Sequence, residues 1–181
     1  PVDGNDLRKI EFSITDLGGG SANTQPITSS QEVSVKVIES NDPPVVTAHD
    51  TSIDEPDNAL STTSFNVGSN VIISDVDDAY LSKIKISLGS DTYLPDDGNT
   101  YESFEFPASL QEFVFTGNNL DREVEITSST AKTVAEFNAA LNDVVLKIVG
   151  DNPTGLGLYP NRIIKLEATD LSGDTTTSNF N

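Results

Sequence analysis

The strongest constraint on this chain is a repeat within it. Residues 8–16, RKIEFSITD, align without a gap on residues 162–170, RIIKLEATD. Arg8 falls on Arg162, Ile10 on Ile164, Thr15 on Thr169 and Asp16 on Asp170; beyond them Leu17 falls on Leu171 and Gly19 on Gly173. Asp16 and Asp170 stand 154 positions apart, which is the length of a whole domain rather than of a solenoid unit. The 181 residues exceed one such period by 27. The chain therefore reads as a window on a tandem array of similar domains, opening near the end of one and closing near the end of the next.

Between the copies lies Glu39-Ser40-Asn41-Asp42-Pro43-Pro44-Val45. Two prolines remove two backbone donors and fix φ, which ends a strand and makes a stiff connector. Residues 41–45 are taken as the linker, 1–40 as the terminal strands of a preceding repeat, and 46–181 as the next repeat. In the first piece, Ile10, Phe12 and Ile14 alternate over 8–14, and Val33, Val35 and Val37 alternate over 32–38, joined by a turn holding Gly18, Gly19 and Gly20. In the second, short strands are expected near 71–74, 81–88, 103–106, 112–116, 122–127, 143–149 and 162–169. Many short strands between Asn, Asp, Gly and Ser turns predict an all-β, antiparallel Greek-key sandwich of the immunoglobulin-like kind. One helix of about two turns interrupts it: Thr133-Val134-Ala135-Glu136 is a capping box, followed by Phe137, Ala140 and Leu141 at helical spacing. By analogy with 31–38 a last strand is expected after Ser178, cut short so that the repeat lacks it.

Charge narrows the partners. With 29 Asp and Glu against 10 Lys and Arg the net charge is −19, so nucleic acid and anionic membrane surfaces, which need a basic face, are excluded as partners. No apolar run approaches the ~18 residues of a membrane span, and nothing resembles a leader peptide. Cys is absent, which closes disulfides, thiolate nucleophiles and Cys-ligated metals.

The acidic residues collect at predicted strand ends. Asp75-Val76-Asp77-Asp78 follows Val71-Ile72-Ile73, Asn41-Asp42 sits in the linker, and Asp170 ends the strand over 162–169. Asp75 and Asp77, two apart in extended chain, face the same way and repel. An all-oxygen set without His or Cys suits Ca²⁺, which takes 6–8 oxygens in flexible geometry and can be assembled from separate loops. A lone Asp in such a loop is ordinarily a solvated turn; the combination is what points to an ion. An EF-hand is excluded, because the segment from Asp75 to Ile86 lacks Gly at its sixth position and Glu at its twelfth.

The run ITDLGGG…EVSVKVIESNDPPVV followed by VIISDVDDAYL resembles the tandem cadherin-like domains of large extracellular adhesins. The stretch TAKTVAEFNAALNDVVLKIVGDNPTGLGLYPNRIIKLEATDLSG is similar to the bacterial form, in which a short helix precedes the final strands. That resemblance implies a calcium-dependent surface protein whose repeats stiffen a long adhesin or spacer, outside the cell. It implies Asn41, Asp42, Asp75, Asp77 and Asp170 as calcium ligands at the junction, with Asp78, Glu55 and Asp16 as secondary candidates; Asp16 and Glu55 would serve the neighbouring junctions. The implied partners are adjacent repeats of the same polypeptide, with another protein or a glycan beyond them. Leu120-Asp121-Arg122-Glu123 matches a cadherin motif but stands far from Asp170, and is taken as coincidental.

Other classes fit less well. No enzyme is expected: His49 is the only histidine, no GxSxG is present, and a glycosidase's carboxylate pair cannot be picked out among so many acids. A carbohydrate-binding module would use Tyr80, Tyr93, Tyr101 and Tyr159 near turns, whereas Phe104, Phe106, Phe113 and Phe115, spaced by two, are expected in the core. A filament or sheath subunit would arise if strands 1–40 filled a gap in a neighbour.

Overall fold

The computed structural model describes residues 7–18, 25–38, 40–54, 61–89, 101–106, 112–117, 122–150 and 161–181. They belong to two compact units, Pro1–Ser40 and Asn41–Asn181, a division at the linker the prolines mark.

The first unit is an antiparallel hairpin of β1 (Leu7–Thr15) and β2 (Thr28–Lys36). Directly opposed residues share a face, so the register Ile10↔Val33, Arg8↔Val35 and Phe12↔Gln31 puts the alternating apolar residues of both strands together. Lys9, Glu11, Glu32 and Ser34 occupy the other face, where Lys9 pairs with Glu32 at 2.8 Å. Every residue of both strands is exposed.

Among the described residues, the second unit is all-β with one α-helix. Its strands are β3 (Val45–Ala48), β4 (Thr62–Asn66), β5 (Val71–Ser74), β6 (Tyr80–Leu88), β7 (Tyr101–Glu105), β8 (Val114–Thr116), β9 (Glu123–Thr133), β10 (Val145–Val149), β11 (Ile164–Asp170) and β12 (Thr175–Phe180). They form antiparallel sheets ordered β12-β11-β6-β9-β8, β4-β10-β7 and β3-β5. Residues of the three sheets and the helix share one apolar core, with Val67, Ile84, Ile86, Ile126, Phe137 and Leu166 wholly inside it. Phe104 is buried, Phe106 stacks on Phe115 at 4.2 Å, and Phe113 meets Phe137 edge-on at 5.1 Å, as their spacing suggests.

Helix α1 (Val134–Asn142) begins where the capping box places it. The Thr133 hydroxyl accepts from the Glu136 backbone N–H at 3.2 Å, and the Glu136 carboxylate accepts from the Thr133 N–H at 2.8 Å. Beyond the cap, Lys132 Nζ pairs with Glu136 at 3.1 Å and also with Glu112, and lies 5.8 Å from the centre of the Phe113 ring. The far end of α1 packs against a 3₁₀ turn over Val67–Asn70. A Cβ on Gly68 would stand 2.5 Å from the backbone nitrogen of Asn142, so that contact admits only glycine.

The sequence reading is corrected at the C-terminal end. A closing strand is present: β12 pairs along β11 from Thr169↔Thr175 to Ile164↔Phe180. It starts at Thr175 rather than after Ser178 because the connecting turn is shorter than in the first copy. Six positions separate Thr169 from its partner and thirteen separate Thr15 from its partner Thr28, so a constant offset displaces the strand by seven residues. Strands β3 and β4 are further additions. Val45 belongs to β3 rather than to the linker, and β4 reads TTSFN, with one large apolar side chain to mark it.

Candidate metal centre

Three segments of the second unit converge at the start of β6: the linker, the β5–β6 loop and the β11–β12 turn. Asp75 follows β5 and folds its loop back on itself, its Oδ1 accepting the backbone N–H groups of Asp77 at 3.2 Å and Asp78 at 3.0 Å. Asp170 is the last residue of β11, opposite Leu81, and strand alternation puts its side chain on the same buried face as Ile164, Leu166 and Ala168. Its Oδ1 accepts from the N–H of Gly173 at 2.7 Å and of Asp174 at 2.9 Å, closing the turn in which Gly173 takes a φ of 98°.

The linker ties these loops together. Asn41 Nδ2 donates to Asp170 Oδ2 at 2.9 Å and to Asp174 Oδ2 at 2.8 Å, while Asn41 Oδ1 accepts from the Ser172 hydroxyl at 3.2 Å. The backbone N–H of Asp42 donates to Asp77 Oδ2 at 2.9 Å. Pro44 is buried just beyond, which fixes where the linker enters the unit. Hydrogen bonds thus join Asn41 to Asp170, Asp174 and Ser172, and Asp42 to Asp77, whose N–H is in turn held by Asp75.

Electrostatically the group is one-signed. None of the ion pairs among the described residues involves Asp42, Asp75, Asp77, Asp78, Asp170 or Asp174. Burial, and then the charges of Asp75, Asp170 and Asp77, push the Asp78 carboxyl above its ordinary pKa. Asp170 is buried, which alone would raise it. The Asn41 amide and the N–H groups of Asp174, Gly173 and Ser172 outweigh that and hold it below the ordinary carboxylate value.

As the loops stand, no group of three or more His, Cys, Asp and Glu among the described residues is gathered ready to hold a metal ion. Several inward oxygens are engaged by N–H groups instead, and the Asn41 amide supplies the partial positive charge between Asp170 and Asp174. Two oxygens are not engaged: Asp75 Oδ2 and Asp77 Oδ1 are buried and accept no hydrogen bond. Buried acceptors without partners cost free energy that a cation would recover. The donor set is all oxygen and anionic, the chemistry of a hard divalent ion.

Other candidates lie elsewhere. Asp16 belongs to the first unit, where its Oδ1 accepts from Gly18 N–H at 3.0 Å and Ile27 N–H at 3.3 Å, much as Asp170 braces its own turn. Glu55, Tyr93 and Tyr159 lie outside the described residues. Tyr80 opens β6 with an exposed ring, and Tyr101 opens β7. His49 is exposed, its backbone N–H donating to Asn70 O at 3.0 Å. Glu123 pairs with Lys85 at 3.0 Å and lies opposite Ser87, at the other end of β6 from Asp78, so this part of the Leu120–Glu123 motif lies away from the linker.

Asp174 was missed in the sequence because the repeat hides it. Its counterpart in the first hairpin is Ile27, which makes the same backbone exchange but carries no carboxylate. The available signal was an acid four residues after Asp170 in TDLSGD.

No family model matches this chain, and no curated protein matches it. Among solved structures, a DUF4466 family protein from Parabacteroides merdae ATCC 43184 is similar at 9% identity with a TM-score of 0.37. The match covers 76% of this chain and 43% of that one, so the chain spans less than half the length of that protein. A likeness that distant carries no argument about function.

Proposed function

We propose that residues 41–181 form a cadherin-like Greek-key β-sandwich that binds Ca²⁺ where it meets a neighbouring repeat, and that the chain is part of a long extracellular adhesin or spacer. Its work is mechanical rather than catalytic. The observation that carries the reading is that the linker residues Asn41 and Asp42 are the ones that bond to the acidic loops at the end of the unit. Whatever neutralises those loops also fixes the linker.

Asp75, Asp77, Asp170 and Asp174 would hold the ion, with Asn41 and Asp42 contributing from the linker and Asp78 completing the acidic shell. The ion supplies charge neutralisation: it removes the mutual repulsion of these carboxylates and engages the two buried oxygens that accept nothing. Without it the loops are joined to the linker through the Asn41 amide, the Asp42 N–H and the Ser172 hydroxyl alone, and the connection is correspondingly softer. Extracellular modules bind Ca²⁺ with dissociation constants of about 10⁻⁴–10⁻³ M, which places such a site in the filled state outside cells and the empty state in cytosol. Adjacent repeats are the first partners of this array; another protein or a glycan would be bound by the array as a whole.

Thermal unfolding in calcium and in chelator tests this. At a free concentration about 100-fold above the dissociation constant, the gain is about 2.7 kcal/mol, or roughly 5–10 °C for a chain of this size. The double variant Asp75→Ala, Asp77→Ala loses that shift. An identical melting temperature for the unaltered chain in both conditions rejects the proposal.

A further inference from the structure

Resting on the reading of residues 1–40 as the end of a neighbouring repeat, we propose that the β1–β2 hairpin is a docking element. It completes a body of the same build as residues 45–149, seated there as β11–β12 is seated on its own.

The two hairpins correspond in detail. Ile10↔Val33 in one register is Ile164↔Phe180 in the other. The closing pair is bridged by hydroxyls in both, Thr15 to Thr28 at 2.7 Å and Thr169 to Thr175 at 2.8 Å. Beyond it, Asp16 N–H donates to Ile27 O at 3.0 Å while Ile27 N–H returns to Asp16 Oδ1 at 3.3 Å. Asp170 and Asp174 make the same exchange at 3.1 and 2.9 Å.

What differs is the cover. Ile10, Phe12 and Ile14 are 46, 58 and 76% exposed, whereas their counterparts Ile164, Leu166 and Ala168 are 3, 0 and 0% exposed. The second hairpin is covered by an aliphatic and aromatic interior, and β11 lays its outer edge along β6 from Ile164↔Leu88 to Asp170↔Leu81. The chain therefore displays what the first hairpin's face and the outer edge of β1 are made to meet. A second hairpin would not suffice as that partner. Nine residues at about 3.3 Å each by a width of about 10 Å give roughly 300 Å² a side, or 600 Å² in all, well under the ~1,000 Å² of a specific interface. A two-stranded hairpin is marginal without further cover. The partner is instead a whole body whose place for a terminal hairpin is open.

An intact chain cannot supply that place, because its own β11–β12 fills it. A chain ending at Pro160 has one hairpin and one open place, and serves as the probe. In the 1–181 chain, the amides of Lys9, Glu11 and Ser13 lie on the outer edge of β1, since Asp16 N–H and the amides in phase with it face β2, and they exchange with solvent within seconds. In the 1–160 chain they slow by at least about 100-fold as the hairpin of one copy enters the next. Added intact chain, which offers a hairpin but no open place, caps and shortens the resulting assemblies. Phe12→Asp in the 1–160 chain abolishes the slowing, and Ser13→Asp on the opposite face leaves it. Should removal of β11–β12 prevent folding, a second variant carries the test: residues 10–36 grafted in place of 164–181. The graft unfolds cooperatively with the 10–16 amides protected. Protection of the hairpin in either variant supports the proposal, and its absence from both overturns it. The outcome is the same in calcium and in chelator, so a failure here is separable from a failure of the calcium reading.

Discussion

Asp170 is the residue on which the candidate site turns. It is buried, closes the β11–β12 turn through two backbone N–H groups, and receives the linker through Asn41. Its folded-state pKa lies below the unfolded value, so it contributes stability that is present above about pH 4 and lost as pH falls through the lower folded value. Asp170→Ala should cost about 2–3 kcal/mol, read as a lower urea midpoint in chelator at pH 7. Asp78 works in the opposite sense. Its pKa is raised on folding, so metal-free stability declines as pH rises from the unfolded toward the folded value. Asp78→Asn is therefore expected to stabilise the calcium-free protein at pH 7 and to leave it unchanged near pH 3; a midpoint that falls at pH 7 contradicts this. Most of the site was readable because its residues sit in short acidic runs next to apolar ones, as Asp75 and Asp77 follow Val71, Ile72 and Ile73. Asp174 was not, since its role depends on a turn whose length differs between the copies.

The elements that local chemistry dictates were the legible ones. The Thr133 and Glu136 capping box starts α1 where spacing places it, and the alternation of Ile84, Ile86 and Leu88 marks β6. Thr133→Ala should lower stability by about 1 kcal/mol, measured by chemical denaturation. Long-range contacts were not legible. The side chain of Asn138 on α1 pairs with the backbone of Ile73, accepting its N–H at 2.9 Å and donating to its carbonyl at 2.8 Å. Nothing in its own stretch of sequence marks it as a cap for a strand edge. Gly68 is the same kind of case: its need for no side chain comes from Leu141 and Asn142, over 70 positions away. Gly68→Ala should destabilise by about 1–3 kcal/mol through overlap with that backbone, and a change below 0.5 kcal/mol would contradict the close approach. Strand β4 escaped because Thr and Ser dominate it, and its place comes from pairing with β10; β12 was expected too late because its turn is shorter than in the first copy.

For the molecule as a whole, the internal repeat carried more information than composition did. The structure returns it as two hairpins with one register and one pattern of turn hydrogen bonds. The excess of acid has a local meaning as well as a global one: some of the 29 carboxylates surround the point where a stiff Pro-Pro connector enters the second unit. Calorimetric titration of calcium into the chelator-stripped chain is the most direct measurement of whether that point is a cation site. Saturable binding with a dissociation constant of about 10⁻⁴–10⁻³ M, abolished by Asp75→Ala with Asp77→Ala and weakened by Asp174→Asn, is the expected result. No saturable heat, or binding that survives loss of both Asp75 and Asp77 carboxylates, would contradict it.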